Sequence, residues 1–222
     1  MLLIYSGGMD STTLLYEYKD KIKLAVSFDY GSKHNDIEFA YAKKNTELLG
    51  IKHERVDIKS FMGLFKSNLL KSGEEIPHGH YADDNMKKTV VPFRNGIMLS
   101  IAAGIAESNG LKTVLIANHF GDHAIYPDCR NTFISAMTAA IYQGTWENIE
   151  LNAPYTAISK REIALRGKNL GIDYSLSYSC YEGDEIHCGR CGTCVERQEA
   201  LEGFDNTNYK DNQFWKGVLN GN

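Results

Sequence analysis

Apolar positions along the chain fall into short β-rich runs separated by stretches with helical spacing. Leu2 to Tyr5 leads into a helix at about Ser11 to Tyr18, and Leu24 to Asp29 leads into one at about His34 to Leu49. Within that second helix Ile37, Ala40, Tyr41 and Leu48 share a side, and Gly50 follows as a C-cap. His53 to Ile58, Thr113 to Ala117 and Ile149 to Leu151 read as further strands, with helices at Asn95 to Asn109, Thr132 to Tyr142 and Ser159 to Leu170. In the first of these helices Ile97, Ile101 and Ile105 recur at every fourth position beside small Ala102, Ala103 and Gly104, the pattern of a helix buried behind a sheet. Alternation of strand and helix predicts an α/β fold, a parallel sheet with helices on both faces.

Two stretches break the alternation. Phe61 to Leu70 is a short helical pattern, and Lys71 to Thr89 is polar and interrupted by Gly73, Pro77 and Gly79, which predicts a mobile loop over a site. No repeat or linker divides the series. Residues 1–178 are therefore expected to form the α/β unit, with residues 179–222 a cysteine-rich appendage, helix and tail packed on it. Tyr209, Phe214 and Trp215 suggest that the tail docks on that unit or on a second subunit, so a homodimer is one expectation.

Composition changes this picture mainly by exclusion. A chain of 222 residues, 43% hydrophobic and 23% charged, is neither a disordered tail nor a fibre. A net charge of −4 supplies no general field for a polyanion, so no nucleic-acid partner is expected. Gly96 to Ala106, the longest nearly apolar stretch, is too short to span a bilayer, and the first residues read as a strand and not a leader. A cytosolic location without membrane association is expected. Five cysteines, four of them between Cys180 and Cys194, would make a poor disulfide framework there, so metal ligation is the better expectation.

Candidate chemistry begins in the turn after the first strand, Ser6-Gly7-Gly8-Met9-Asp10-Ser11-Thr12. Two consecutive glycines permit positive φ and remove the Cβ atoms that would hold an oxyanion away from backbone amides. A helix N-terminus follows, where amides and dipole favour phosphate, and Ser6, Ser11 and Thr12 add hydroxyls. No Lys-Ser or Lys-Thr closes a glycine loop, so this is not a Walker A sequence. The second chemical element is Cys180-x7-Cys188-x2-Cys191-x2-Cys194. Four thiolates, with Gly189 and Gly192 letting the backbone fold around them, suit a closed tetrahedral Zn²⁺ site. An iron–sulfur cluster is the main rival, but the spacing matches neither common ferredoxin pattern. His187 is expected to point to solvent or substrate, Cys129 to be a small core residue, and the His78-Gly79-His80 pair to be a loop feature.

The Ser-Gly-Gly-x-Asp-Ser string resembles the pyrophosphate-binding loop of the PP-loop ATP pyrophosphatases. Four segments together resemble one family within them, 7-cyano-7-deazaguanine synthase of the queuosine pathway. They are Ser6 to Ser11; Val91-Pro92-Phe93-Arg94-Asn95; Tyr126-Pro127-Asp128-Cys129-Arg130; and Ser179-Cys180-Tyr181 with Cys188-Gly189-Arg190-Cys191-Gly192-Thr193-Cys194. The resemblance covers about residues 1 to 202 and departs at His123-Ala124-Ile125 and in the lack of a Trp before Ser179.

The resemblance implies that ATP is bound by Ser6, Gly7, Gly8, Met9, Asp10, Ser11, Thr12 and Thr13, with adenosine near Asp29-Tyr30-Gly31 and Lys160 on phosphate. Asp10, Arg94, Asp128 and Arg130 are its candidate catalytic residues, and Arg94, Asn95, Asn118, Asp122 and Tyr126 its candidates for holding substrate. Its four cysteines, Cys180, Cys188, Cys191 and Cys194, bind zinc. The implied reaction converts the small-molecule deazapurine substrate 7-carboxy-7-deazaguanine and ammonia to a nitrile. ATP with Mg²⁺ adenylates first the acid and then an amide intermediate. Two other readings fit the same motifs: a related ligase joining a deazapurine acid to a different amine, and a nucleotide-binding sensor without turnover.

Overall fold

The computed structural model describes residues 1–219. The strands β1 (Leu2–Ile4), β2 (Leu24–Asp29), β3 (Lys52–Asp57), β4 (Thr113–Leu115) and β5 (Glu150–Asn152) form one sheet in the order β3-β2-β1-β4-β5, with every pairing parallel. Side chains alternate across it as the pleat requires. Leu2 and Ile4 enter one core with Leu24, Val26 and Phe28, while Leu3, Tyr5 and Ala25 enter another on the opposite face. On the first face lie α4 (Arg94–Ser108) and α5 (Asn131–Gly144). Ala102, Ala103 and Ala106 of α4 are small enough to bring its backbone close to the sheet. The second face is covered by α1 (Met9–Glu17), through Leu14 and Leu15, and by α6 (Lys160–Asn169), through Ile163. Strand β3 is a charged, largely exposed edge, a sequence that discourages pairing with another chain.

Several expectations need correction. In α2 (Asn35–Leu48) the buried residues are Asn35, Ala42, Asn45 and Thr46, while Leu48 is 62% exposed. Of the four apolar positions expected on one side, Ile37 and Tyr41 pack partly against the core, whereas Ala40 and Leu48 are exposed and a polar strip is buried beside them. The pattern at 61–70 yields only α3 (Lys59–Met62), after which Leu69 and Leu70 are buried in irregular chain and Ser32 bridges Leu70. Residues 71–89 are anchored where a mobile loop is expected: His78 bridges Cys191, and Tyr81, Met86 and Thr89 are buried. The C-terminal part contains α7 (Gly192–Ala200) and α8 (Phe214–Leu219), and Trp215 is buried against the same chain.

Strand order reverses at β1, whose neighbours are β2 and β4. In open α/β sheets the crevice beyond the carboxyl ends at such a point is where ligands bind.

Candidate active site

A cavity of about 220 Å³ opens at that crevice, lined from the ends of β1, β2 and β4, the starts of α2, α4 and α6, and the cysteine-rich segment. Gly7 has φ +86°, and a Cβ there would lie 2.5 Å from the Glu38 carbonyl, because α2 presses on the turn. Gly8 differs from expectation: its φ is −72°, and its added Cβ would meet Ser6 Oγ at 3.1 Å and the Tyr178 carbonyl at 3.5 Å. Ser6, Gly8, Met9, Asp10 and Ser11 line the cavity, with the first amides of α1 directed at it. Thr12 and Thr13 face away: Thr12 Oγ1 shares a hydrogen bond of 3.1 Å with Tyr5 Oη, and Thr13 Oγ1 one of 2.7 Å with Tyr174 Oη.

At the end of β2, Asp29 accepts from the Gly31 amide at 3.2 Å while its other oxygen meets Arg55 at 2.5 Å and Lys59 at 3.0 Å. Burial pushes its carboxyl up, but those bonds outweigh it and hold the group below its usual range. Asp29 therefore shapes the turn and keeps Arg55 at the cavity wall.

The opposite wall is aromatic and cationic. Phe93, with φ +54°, precedes α4 and folds its ring over Gly96. That left-handed step lets the helix begin with Arg94 turned inward, donating to Tyr30 Oη at 3.2 Å and lying over the Tyr30 and Tyr126 rings. Tyr126 Oη shares bonds with Thr89 at 2.9 Å and Tyr181 at 3.1 Å. Asp128 Oδ2 accepts the Asn95 amide at 2.8 Å and so caps α4; Asn95 Nδ2 returns to Asp128 O and Cys129 Sγ. Arg130 is exposed and donates to His123 O at 3.0 Å. Arg94, Asn95, Asn118, Asp122, Tyr126 and Lys160 reach the cavity, whereas Gly7, Thr12, Thr13, Gly31, Asp128 and Arg130 do not line it.

Beside the glycine turn, Lys160 Nζ lies 2.8 Å from Glu196 and 3.2 Å from Asp10. Burial alone would strip its proton, but these carboxylates hold it charged. His119 Nδ1 accepts the Gly121 amide, which puts the imidazole proton on Nε2, 3.5 Å from Asp122 and 3.8 Å from both Asp10 and Glu196. Asp10 Oδ1 is buried with no hydrogen-bond partner among the described residues. Asp10 and Glu196 share Lys160, and Asp122 faces His119, so carboxylates outnumber the lysine beside the glycine turn.

Sequence reasoning missed Glu196, His119, Tyr81, Tyr181 and Glu38. Glu38 is 16% exposed at its side chain and lines the cavity 3.7 Å from His34 Nε2. Burial, against the pull of Arg94, pushes its carboxyl up to about 8. His34 is stacked on Tyr181 at 5.3 Å and is driven down to about 4 by burial and by Arg94. Apolar spacing gives no signal for it: Glu38 lies next to Ile37, toward the side on which polar Asn35, Asn45 and Thr46 are buried.

Sulfurs of Cys180, Cys188, Cys191 and Cys194 lie within 4.8 Å of one another, all buried. Amides of Cys188, Arg190 and Cys191 donate to them at 3.2 to 3.4 Å, bonds that favour thiolates. This group can hold a metal ion. His187 is not directed to solvent or substrate; it is buried and accepts the Ser179 amide at 3.1 Å. Gly189, at φ +80°, is required because a Cβ there would lie 1.8 Å from Asp211 O.

The family model described as Queuosine biosynthesis protein QueC matches residues 1–205. The chain belongs to this family. Relatives named 7-cyano-7-deazaguanine synthase include one from Porphyromonas gingivalis, 57% identical over 90% of this chain and 91% of the relative. Another, from Desulfotalea psychrophila, is 48% identical over 94% of this chain and 97% of the relative. A distant likeness to a solved structure, the NH3-dependent NAD synthetase from Campylobacter jejuni, has a TM-score of 0.47 at 16% identity, over 99% of this chain and 82% of that one.

Proposed function

We propose that this member of the QueC family converts 7-carboxy-7-deazaguanine and ammonia to 7-cyano-7-deazaguanine by ATP-dependent adenylation through an amide. The observation carrying this is the identity of 57% over 90% of the chain with a synthase, together with one cavity lined by Ser6, Gly8, Asp10, Ser11, Arg94 and Tyr126 of this chain. Amides at the start of α1 and Lys160 would hold pyrophosphate, and Arg94 would orient the substrate carboxylate for attack on the α-phosphorus. The adenylate carbonyl then accepts ammonia and AMP leaves. A second ATP activates the amide oxygen, and loss of AMP with the remaining N–H proton leaves the nitrile. Mg²⁺, where bound by Asp10 and its neighbours, would neutralise charge on the leaving pyrophosphate. The different-amine ligase and the sensor are not favoured, because the relatives match almost end to end under the synthase name. Supplying the acid, ATP and ammonia should yield nitrile and two AMP per product by mass spectrometry; amide as the only product would refute the dehydration step.

Zinc is the proposed metal of the cysteine group. A tetrahedral ion with Zn–S bonds of about 2.3 Å places sulfurs about 3.8 Å apart, close to the 3.9 Å between Cys188 and Cys194. Its role would be to hold the segment's ends together, with no position open for substrate. Stoichiometric iron with visible absorbance would exclude it. A homodimer is proposed through the end of α5, where Tyr142 is 47% exposed and Trp146, just beyond the helix, is 92% exposed. Sedimentation as a monomer at assay concentration would end that idea. No helix of the described residues is long and apolar enough to cross a membrane, and a cytoplasmic location fits a biosynthetic enzyme.

A further inference from the structure

Glu38 is the one carboxyl in the cavity with neither a cation nor a hydrogen-bond donor committed to it. Of the other carboxyls lining the cavity, Asp10 has Lys160, Asp29 has Arg55 and Lys59, and Asp122 has Tyr81 and the His119 amide. The nearest neighbour of Glu38, His34 Nε2 at 3.7 Å, shares a bond of 3.2 Å with Tyr30 Oη instead. Around it stand flat surfaces: His34 stacked on Tyr181, and the Arg94 guanidinium over Tyr30 and Tyr126. Such walls hold a planar heterocycle by its faces, and a carboxyl at their edge accepts from whatever donors the ring's rim presents.

Resting on the functional reading above, we propose that Glu38 is the specificity residue for the deazapurine, accepting both its ring N–H and its exocyclic amine through the two carboxylate oxygens. A guanine-type rim carries those two donors side by side, which matches an acceptor pair. Adenine's rim offers one donor and one acceptor, so it could satisfy only one of the two carboxylate oxygens as an acceptor. Burial leaves the carboxyl of the ligand-free protein protonated near neutrality, and two N–H donors supply the hydrogen bonds that let it ionise, with His34, Tyr30 and Arg94 the polar groups around it.

The test compares the acid with its analogue lacking the exocyclic amine, in wild type and in Glu38→Gln. Losing one hydrogen bond to a charged acceptor should weaken the analogue by about 10- to 100-fold in wild type. In Glu38→Gln the KM for the acid should rise by a similar factor and the discrimination should collapse, while the KM for ATP stays within about twofold and reports an intact site. Retained discrimination, or a rise confined to the KM for ATP, would overturn the assignment. Equilibrium binding of the two acids is measured alongside. A chain that binds the amino form more tightly through Glu38 but turns none over would refute the proposed reaction and uphold the recognition.

Discussion

Gly7 and Gly8 are neighbours with different demands. Gly7 combines φ +86° with a carbonyl 2.5 Å from its missing Cβ, so Gly7→Ala should destabilise the fold by about 1–3 kcal/mol. Gly8 has an ordinary φ of −72°, and its added Cβ would meet a serine hydroxyl at 3.1 Å and the Tyr178 carbonyl at an ordinary 3.5 Å, so Gly8→Val should fold but lose ATP turnover by crowding the proposed phosphate nest. Urea melts and AMP release on the two variants separate these outcomes; a Gly8→Val enzyme turning over ATP normally would remove the turn from the mechanism. Sequence alone showed that the pair mattered but not which glycine served geometry, since that depends on α2 pressing from afar. A second residue-scale prediction concerns pH. Native Glu38, up at about 8, keeps a proton that the unfolded chain releases above about 4.3, so its stabilisation is lost as pH rises toward 8. Native His34, down at about 4, refuses a proton the unfolded chain takes below about 6.5, so its contribution is lost as pH falls toward 4. The two oppose each other between those unfolded values, and from about pH 6.5 to 8 only Glu38 remains, giving a decline of up to ~1.4 kcal/mol per pH unit. Denaturation at both ends should show that decline in wild type and its absence in Glu38→Gln; equal slopes would mean that the carboxyl is not buried as described.

Elements were more legible than side-chain roles, and the exceptions have physical causes. Strand β2 falls where a run of Leu, Ala, Val, Ser and Phe predicts it, because a strand buried on both faces declares itself by composition. Helix α2 falls where its spacing predicts, but its apolar side is only half buried, because it packs polar Asn45 and Thr46 inward: Asn45 Nδ2 donates to Leu176 O at 2.7 Å and Thr46 Oγ1 to Ala42 O at 2.9 Å. Apolar periodicity cannot anticipate a face satisfied by hydrogen bonds. Helix α4 shows the same principle at its end. Its N-terminus has no local capping side chain; Asp128, distant in sequence, accepts the Asn95 amide instead. Asp128→Ala should therefore cost about 1 kcal/mol, some 2–4 °C in Tm, while Asp128→Asn, which keeps an acceptor, should retain most of it. Calorimetry giving the two variants the same Tm would deny the cap and return Asp128 to the candidates for chemistry.

At the scale of the molecule, the cysteine segment is a wall of the cavity as well as a group that can hold a metal. Tyr178, Ser179, Tyr181 and Thr193 line the cavity, and the Tyr178 amide donates to Gly7 O at 2.9 Å, tying this wall to the phosphate turn. Arg197, fully buried, holds the segment together from α7, donating to Tyr174 O at 2.6 Å and to Ser177 and Ser179 hydroxyls at 3.0 Å. Sequence revealed the ligands but not this coupling, since Arg197 reads as an ordinary helix charge until its partners are placed around it. The four cysteines also share the large core with Leu2, Val26 and Leu99, so metal loss would be felt beyond their own loop. Without an ion, four buried thiols within 4.8 Å lose their shared positive partner, and the N–H donors aimed at them lose thiolate acceptors. Cys188→Ser or chelation should therefore release one zinc per chain and lower Tm. Amides of residues 174–219 should then exchange before those of β1 and β2, and ATP turnover should fall with the wall that carries Tyr181 and Glu196. Restoring zinc to the chelated wild type should restore all three properties, whereas Cys188→Ser should stay impaired. If instead chelated protein keeps its turnover while its metal is gone, the segment stands without the ion and the coupling between metal and active-site wall is wrong.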